Sequence, residues 1–347
     1  MSQDMSQDSD LFADAARQVL ADQCTPPVVR AIESGGRAAP ATQQLWAQLE
    51  ATGLADALLP EDDGGAGLGL TQVFGVLEQC GAHALPLPLG ETMVARALLA
   101  QAGVARPAGS ITLARGEQLP DGGVRSALVR SGQVADHVLV QAGSGWHLLA
   151  TADAQAAPQA LALDAALAWT AAQVEAAPGV PVDAAQDART LQAAVVAPQM
   201  AGALGDVFRR TLQYANERQQ FGRPIGKFQA IQHQLAVMSE HVFAARMAAQ
   251  LGCNGAGVLP DRLRVATAKA RCSEAALAVA EFAHAIHGAI GFTAEYDLQL
   301  FTRRLHAWRQ TAGSESYWHG VAGEALLAHG GLTLDLVRRI TDVEMML

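Results

Sequence analysis

Apolar residues return at helical spacing from Leu11 to about Gly103. Leu11, Ala15, Val19 and Leu20 predict one face, and Leu45, Leu49 and Leu54 predict another. Pro26-Pro27 and Ser34-Gly35-Gly36 interrupt the run. A glycine-rich stretch, Leu59 to Leu70, comes next. No strand pattern precedes it and no Gly-Lys-Ser/Thr follows, so it reads as a connector between helices rather than a phosphate loop. Further helices are predicted over about Thr71–Gly81 and Glu91–Gln101. Between about Pro107 and Val182 the period changes. Ser110–Leu113, Arg125–Arg130, His137–Gln141 and Trp146–Ala150 are short apolar or alternating runs bounded by Gly, Asp and Ser, which predict strands. Asp153–Ala160 reads as a surface loop. From about Asp187 the helical period resumes in Phe228, Ile231, Leu235, Met238, Val242 and Ala245, and again in Leu263, Ala266, Ala270, Leu277 and Ala280. Thr333 is placed to cap a last helix that turns Leu336, Val337 and Ile340 inward.

The expected architecture is therefore mostly α with a small central β domain: an N-terminal helical domain over 1–106, a reduced β-sandwich or barrel over 107–185, and a C-terminal four-helix bundle over 186–347.

Composition narrows the function classes. Half of the 347 residues are apolar, enough for a large core, and the net charge of −10 argues against nucleic acid and against an anionic membrane surface. No uninterrupted apolar stretch reads as long enough to span a bilayer, and Met1–Asp10 lacks the basic and apolar regions of a leader. A cytoplasmic protein is expected. Cys24, Cys80, Cys253 and Cys272 are scattered without metal-ligand spacing, so free buried thiols are expected and no metal site.

The most informative stretch runs from Tyr214 through Glu217, Arg218, Phe221, Gly222, Pro224 and Gly226 to Phe228 and Gln229. It reads as a helix end, a tight turn and a helix start. Arg218 and Phe221, three apart, are read as sharing a helix face, with Gly222 and Pro224 ending the helix. A guanidinium beside an aromatic ring suits a ligand that carries phosphate and a flat ring system. On the helix end alone, a simpler reading is that Arg218 complements the helix dipole while Phe221 packs. A second stretch is His287-Gly288-Ala289-Ile290-Gly291-Phe292, followed by Glu295-Tyr296 and Arg303-Arg304. Alone, its glycines only permit close backbone approach.

Together these two stretches closely resemble the C-terminal domain of acyl-CoA dehydrogenases, and the loop around Pro60-Glu61 and Gly64-Gly65 resembles that family's N-terminal domain. The resemblance spans nearly the whole chain and is weakest in the middle. It implies FAD as cofactor and α,β-dehydrogenation of an acyl-CoA. It further implies that Arg218, Phe221, Phe228, Gln229, His287, Gly288 and Gly291 serve the FAD of a neighbouring subunit. In the family a carboxylate takes the α-proton while a hydride passes to the flavin. Here the sequence departs from that pattern. The turn that carries the usual base falls on Thr311-Ala312-Gly313-Ser314, which puts Ala312 at the base position. An alternative family site falls near Gln192. Glu315 and Asp187 lie close to these two sites, but Glu315 reads as a surface or capping residue and Asp187 as a loop residue. No catalytic residue is therefore assigned. The family's Trp-Ile-Thr/Ser flavin segment has no counterpart between Ser110 and Val182, and Trp146 and Trp169 read as core. Ala285 stands where a glutamine is usual, and His284 and His287 are given no catalytic task.

What remains resembles the short subunit of a heteromeric acyl-CoA dehydrogenase, in which a longer partner carries the base. A homodimer or such a heteromer is implied. Two alternatives stand beside it: a self-sufficient enzyme using Glu315 or an unrecognised base, and a flavin-free scaffold with the same fold.

Overall fold

The structure, a computed structural model, describes residues 2–341 apart from 184 and 256. Met1 and the last six residues of the expected bundle, 342–347, lie outside the described residues. Two compact units emerge: Met1–Val76, Leu85–Val195 and Gly255–Pro260 form the first, and Leu77–Ala84, Val196–Asn254 and Asp261–Leu347 the second.

In the first unit, helices α1 (Ser2–Gln23), α2 (Pro26–Gly35) and α3 (Pro40–Ala51) precede α4 (Leu70–Ala82) and α5 (Leu89–Gln101). Proline opens both α2 and α3, where its missing N–H costs nothing. The buried stripe of α1 is Ala16 and Leu20, continued by Cys24 just past its end, while Leu11 and Ala15 face solvent. The i, i+4 row is thus rotated from the face expected. Leu45, Leu49 and Leu54 are buried as their spacing predicts. The Leu59–Leu70 stretch is indeed a helix connector, whose Gly67 N–H donates back to the Leu59 carbonyl at 2.7 Å.

Helix α5 is buried along nearly its whole length and lies against the sheet. Thr92 ties it to the first strand, donating to the Ile111 carbonyl at 3.0 Å and accepting from the Ile111 N–H at 2.9 Å. Its one acidic residue, Glu91, is matched at 2.6 Å by Arg130, itself buried.

Six strands form one mixed sheet: β1 (Ile111–Gln118), β2 (Val124–Val129), β3 (His137–Ala142), β4 (Gly145–Ala150), β5 (Gln155–Pro158) and β6 (Ala165–Trp169). Their order is β4-β3-β1-β2-β6-β5, with β1 and β3 parallel and the other pairs antiparallel. Four strands coincide with the predicted runs. The Asp153–Ala160 loop is in fact partly strand: β5 occupies it as the sheet edge, fully exposed and ending in a proline. An edge strand needs no apolar alternation, which is why the pattern missed it. Trp146 and Trp169 are core residues, and the Trp169 indole donates to the Ala150 carbonyl at 2.9 Å. A short helix, α6 (Ala171–Ala176), closes this region with a capping box from Thr170 and Gln173.

The second unit is built from the greater part of α7 (Ala188–Glu217), then α8 (Gln229–Gly252), α9 (Arg262–His287), α10 (Leu298–Gln310), α11 (Glu315–Ala328) and α12 (Thr333–Thr341). Between α7 and α8 stands a hairpin of β7 (Gln219–Gln220) and β8 (Arg223–Pro224). Helix α9 is central, packed against α8, α10 and α11. By length and composition α9 and the turn after it are apolar enough to cross a membrane, contrary to the sequence reading. Many of its apolar residues nonetheless line the interior of this unit, beside the buried Lys269. Leu235, Met238, Val242 and Ala245 are buried as predicted, whereas Leu277 and Val337 are exposed and only Leu336 of α12 is fully buried. Two glycines let α7 meet the end of α4 backbone to backbone. A Cβ on Gly81 would lie 1.7 Å from the Gln199 carbonyl oxygen, and one on Gly202 would lie 1.9 Å from that of Glu78.

Candidate functional site

The predicted helix face shared by Arg218 and Phe221 does not exist. Helix α7 ends at Glu217. The Arg218 N–H still donates to the Tyr214 carbonyl at 2.8 Å, but the Arg218 carbonyl accepts from the Ile225 N–H at 2.8 Å. The chain therefore folds into the β7–β8 hairpin. Its two-residue loop, Phe221-Gly222, has φ +52° and +79°. Positive φ at both positions matches the twist of tight hairpins. Glycine takes that conformation freely; a bulky aromatic does so at a cost of roughly 1–2 kcal/mol. Phe221 is also 90% exposed, so burial does not compensate for the strain.

The tip is nevertheless braced. The Phe221 ring meets the Phe228 ring edge-on at 6.1 Å, and the Arg223 guanidinium lies 4.2 Å above Phe228. Phe228 caps α8 without a side-chain acceptor and Gln229 is the first, exposed residue of that helix. Arg218, Arg223 and Lys227 are all exposed, and no acidic side chain pairs with any of them among the described residues. Three unpaired cations within ten residues of a chain of charge −10 suit an anionic ligand.

The second predicted cluster sits where α9 ends. Gly288 is its C-cap at φ +65°, with its N–H on the His284 carbonyl. Gly291 is buried in the following turn. A Cβ there would come within 3.0 Å of the His287 Cβ and 3.2 Å of His284 Nδ1, so the glycine is needed for space rather than for backbone freedom. His287 is buried, its Nδ1 2.7 Å from the Ala283 carbonyl, which makes Nδ1 the protonated nitrogen. Its Nε2 has no partner. Burial holds the pKa values of His287 and His284 below the usual imidazole range. His284 Nε2 meets Thr302 Oγ1 at 3.0 Å, and its ring stacks on Phe292.

Tyr214 joins the two clusters. It stacks on His287 at 4.4 Å, and Tyr296 lies tilted 5.3 Å from the same imidazole. The structure thus groups Arg218, Phe221, Phe228 and Gln229 at one loop, groups His287, Gly288 and Gly291 at another, and links them through Tyr214, one turn before Arg218. Sequence reasoning passed over Tyr214, Arg223 and Tyr296, although all three stand inside or beside the quoted motifs. Beside the tyrosines lies a pocket of about 200 Å³, lined also by Arg210, Gln213, Glu217, Glu295 and Asp297.

The turn that holds Ala312 is left-handed at both Ala312 (φ +59°) and Gly313 (φ +101°). It is held from within: the Trp318 indole donates to the Ala312 carbonyl at 3.0 Å, and Lys269 Nζ donates to the Gly313 carbonyl at 2.9 Å. Lys269 is fully buried and also bonds Ser273 Oγ and the Arg309 carbonyl, each at 3.0 Å. Burial pulls its pKa down to about 7. Glu315 is engaged by Arg309, with Nε 2.9 Å from Oε2, and that bond holds its carboxyl below the usual range. Gln192 is buried and donates to the Leu113 carbonyl at 2.6 Å. Asp187 accepts from the Thr190 N–H and hydroxyl at 3.0 and 2.7 Å, capping the start of α7. All four cysteines are buried thiols outside any disulfide, and no metal-binding cluster occurs among the described residues.

Comparison with known proteins bears on this geometry. Residues 6–106 match the family model "Acyl-CoA dehydrogenase, N-terminal domain", and residues 182–327 match "Acyl-CoA dehydrogenase, C-terminal domain". A curated relative, "Acyl-CoA dehydrogenase IpdE2" of Mycolicibacterium smegmatis, is 30% identical over 313 residues, covering 89% of this chain and 96% of its own. Among solved structures, a Tcur3481-Tcur3483 steroid ACAD variant superposes with a TM-score of 0.79 at 26% identity, over 93% of this chain and 98% of that one. The ChsE4-ChsE5 complex from Mycobacterium tuberculosis superposes at 0.77 with 21% identity over the same shares.

Proposed function

The chain belongs to the acyl-CoA dehydrogenase family, and from that premise we propose that it completes an FAD site in trans, as one subunit of an assembly that dehydrogenates an acyl-CoA thioester. The observation that carries this reading is the hairpin tip. A strained, exposed Phe221 and three unpaired cations form a contact surface for something the chain does not itself enclose.

The residues present suit FAD. Arg218 would meet pyrophosphate oxygens, Phe221 and Phe228 would lie against flat ring surface, and the glycine turn at Gly288–Gly291 admits close backbone approach. FAD, when bound, supplies the acceptor for the β-hydride. The α-proton needs a positioned carboxylate; the position to which the family resemblance points carries only the methyl group of Ala312, and the nearby Glu315 is tied to Arg309, which lowers its pKa and weakens it as a base. The base is therefore assigned to a longer partner subunit. Support for such a partner comes from the two structural neighbours, each of which is named for a pair of proteins. Exposed Phe243, Met247 and Leu327 on the bundle helices support an assembly as well. A steroid acyl-CoA is the first substrate to test, since one neighbour is named a steroid ACAD.

The test is co-purification with a longer family member, flavin quantification and dye reduction with a panel of acyl-CoAs. Arg218→Ala should weaken FAD retention roughly 10- to 100-fold, as expected for loss of one charge-assisted bond. Unchanged flavin content in that variant, or robust turnover by the chain alone, would overturn the reading.

A further inference from the structure

The hairpin is too small to hold its own tip. Each strand contributes two residues, and a ribbon that short has no independent stability. Phe221 must nevertheless be kept in a conformation that bulky side chains avoid. Some of the restraint comes from below. Ile225 N–H donates to Arg218, and Gln232 Nε2 donates to the Gly226 carbonyl at 3.1 Å. One group on the hairpin reaches from the strand next to the tip to the ring that supports it. It is the guanidinium of Arg223, a residue paired in register with Gln220, and it lies over the Phe228 ring 4.2 Å from its centroid. The Phe228 ring is in turn the surface on which Phe221 rests edge-on at 6.1 Å.

We propose that Arg223 is a positioning residue: by stacking on Phe228 it fixes the platform for Phe221 and holds the tip in its left-handed form before any cofactor arrives. The proposal rests on the reading of the hairpin as a flavin contact made in trans, and it goes further by separating two kinds of arginine within that hairpin. Arg218 meets the ligand; Arg223 prepares the ring that meets it. Preorganisation of this kind raises affinity by removing the ordering cost from the binding step. A stacked guanidinium is suited to the task because its planar face packs on the ring while its donors remain outward.

Two measurements separate this role from that of a direct phosphate ligand. The first is amide hydrogen exchange on the flavin-free chain, read at Ile225, whose N–H bonds the Arg218 carbonyl. Arg223→Met should speed exchange there several-fold while leaving the melting temperature in place, and Arg223→Lys should restore protection only in part. Phe228→Leu should have the same effect, and the double variant should be no worse than either single one, because both changes remove one contact. The second is FAD retention by the partnered assembly, which should fall about 5- to 20-fold in Arg223→Met, following the loss of tip order. Unchanged exchange in Arg223→Met, or full additivity with Phe228→Leu, overturns the proposal. Failure of the underlying reading looks different: Arg218→Ala would then leave flavin content unaltered. If Arg218→Ala loses flavin without changing exchange and Arg223→Met changes neither, the trans reading stands and the positioning role falls.

Discussion

Lys269 shows how little a residue's type says about its place. In sequence it is one lysine on an alternating helix, and nothing marks it for burial. In the structure it is fully enclosed, its three donors shared among Ser273 Oγ and two carbonyls, one of them in the left-handed turn after α10. Desolvation lowers its pKa to about 7, with Cys272 and Glu315 opposing that shift and Arg309 reinforcing it. The unfolded chain holds this proton up to the ordinary lysine value of 10.5. Above pH 7 the unfolded state therefore binds more protons than the folded one, and this group makes stability rise with pH. Above about 9 the Cys253 and Cys272 thiols, pushed up to about 12 by burial, begin to act in the opposite direction. The window that isolates Lys269 is thus pH 7 to 8.5. Urea midpoints measured across it should climb in the wild type and stay flatter in Lys269→Met, so the variant gains on the wild type as pH falls. Equal slopes would mean that the lysine keeps its proton inside the fold across this window.

Among the elements, those that obey a simple period were legible and those shaped by tertiary restraint were not. Helices α3, α4, α5, α8 and α9 and four of the sheet's strands follow from apolar spacing. Strand β5 buries nothing, so it left no pattern. The β7–β8 hairpin escaped for another reason: its turn needs left-handed residues, and Phe221 is among the last a local propensity would choose. The Tyr214–His287 stack joins residues 73 positions apart in sequence, as the weak hydrogen bond from Tyr214 Oη to the His287 carbonyl records, and no local rule reaches that far. The candidate site was legible as two motifs; their junction was not. The buried Glu91–Arg130 pair between α5 and the segment after β2 was likewise invisible. Arg130→Met strands a carboxylate that is 2% exposed, and should lower stability by about 3–5 kcal/mol. Removing both charges in Glu91→Leu/Arg130→Met should recover most of that loss. Chemical denaturation of the two variants decides it.

At the scale of the whole molecule, the chain retains the framework of an oxidising enzyme while residue 312 carries a methyl group. The order of a helical region, a small sheet and a helical bundle was readable because the apolar period changes twice. Whether a base could be restored tests how much else is missing. A general base contributes roughly 10²–10⁴-fold, but only where the hydride acceptor is aligned with the substrate. Ala312→Glu in the chain alone should therefore leave acyl-CoA turnover near background in a dye-reduction assay. A gain of a hundredfold or more would mean that a competent flavin site had been present throughout and that only the carboxylate was lost.

The enclosed thiols have a practical use. Cys24, Cys80, Cys253 and Cys272 are all buried, and a thiol reacts as its thiolate, so maleimide reagents should leave the native protein essentially unmarked. Phe221→Cys would place a single reachable sulfur at the hairpin tip, with no need to remove the native four. A fluorophore attached there would sit on the surface assigned to the neighbouring subunit, and the kinetics of subunit encounter could then be followed in solution as a change in light.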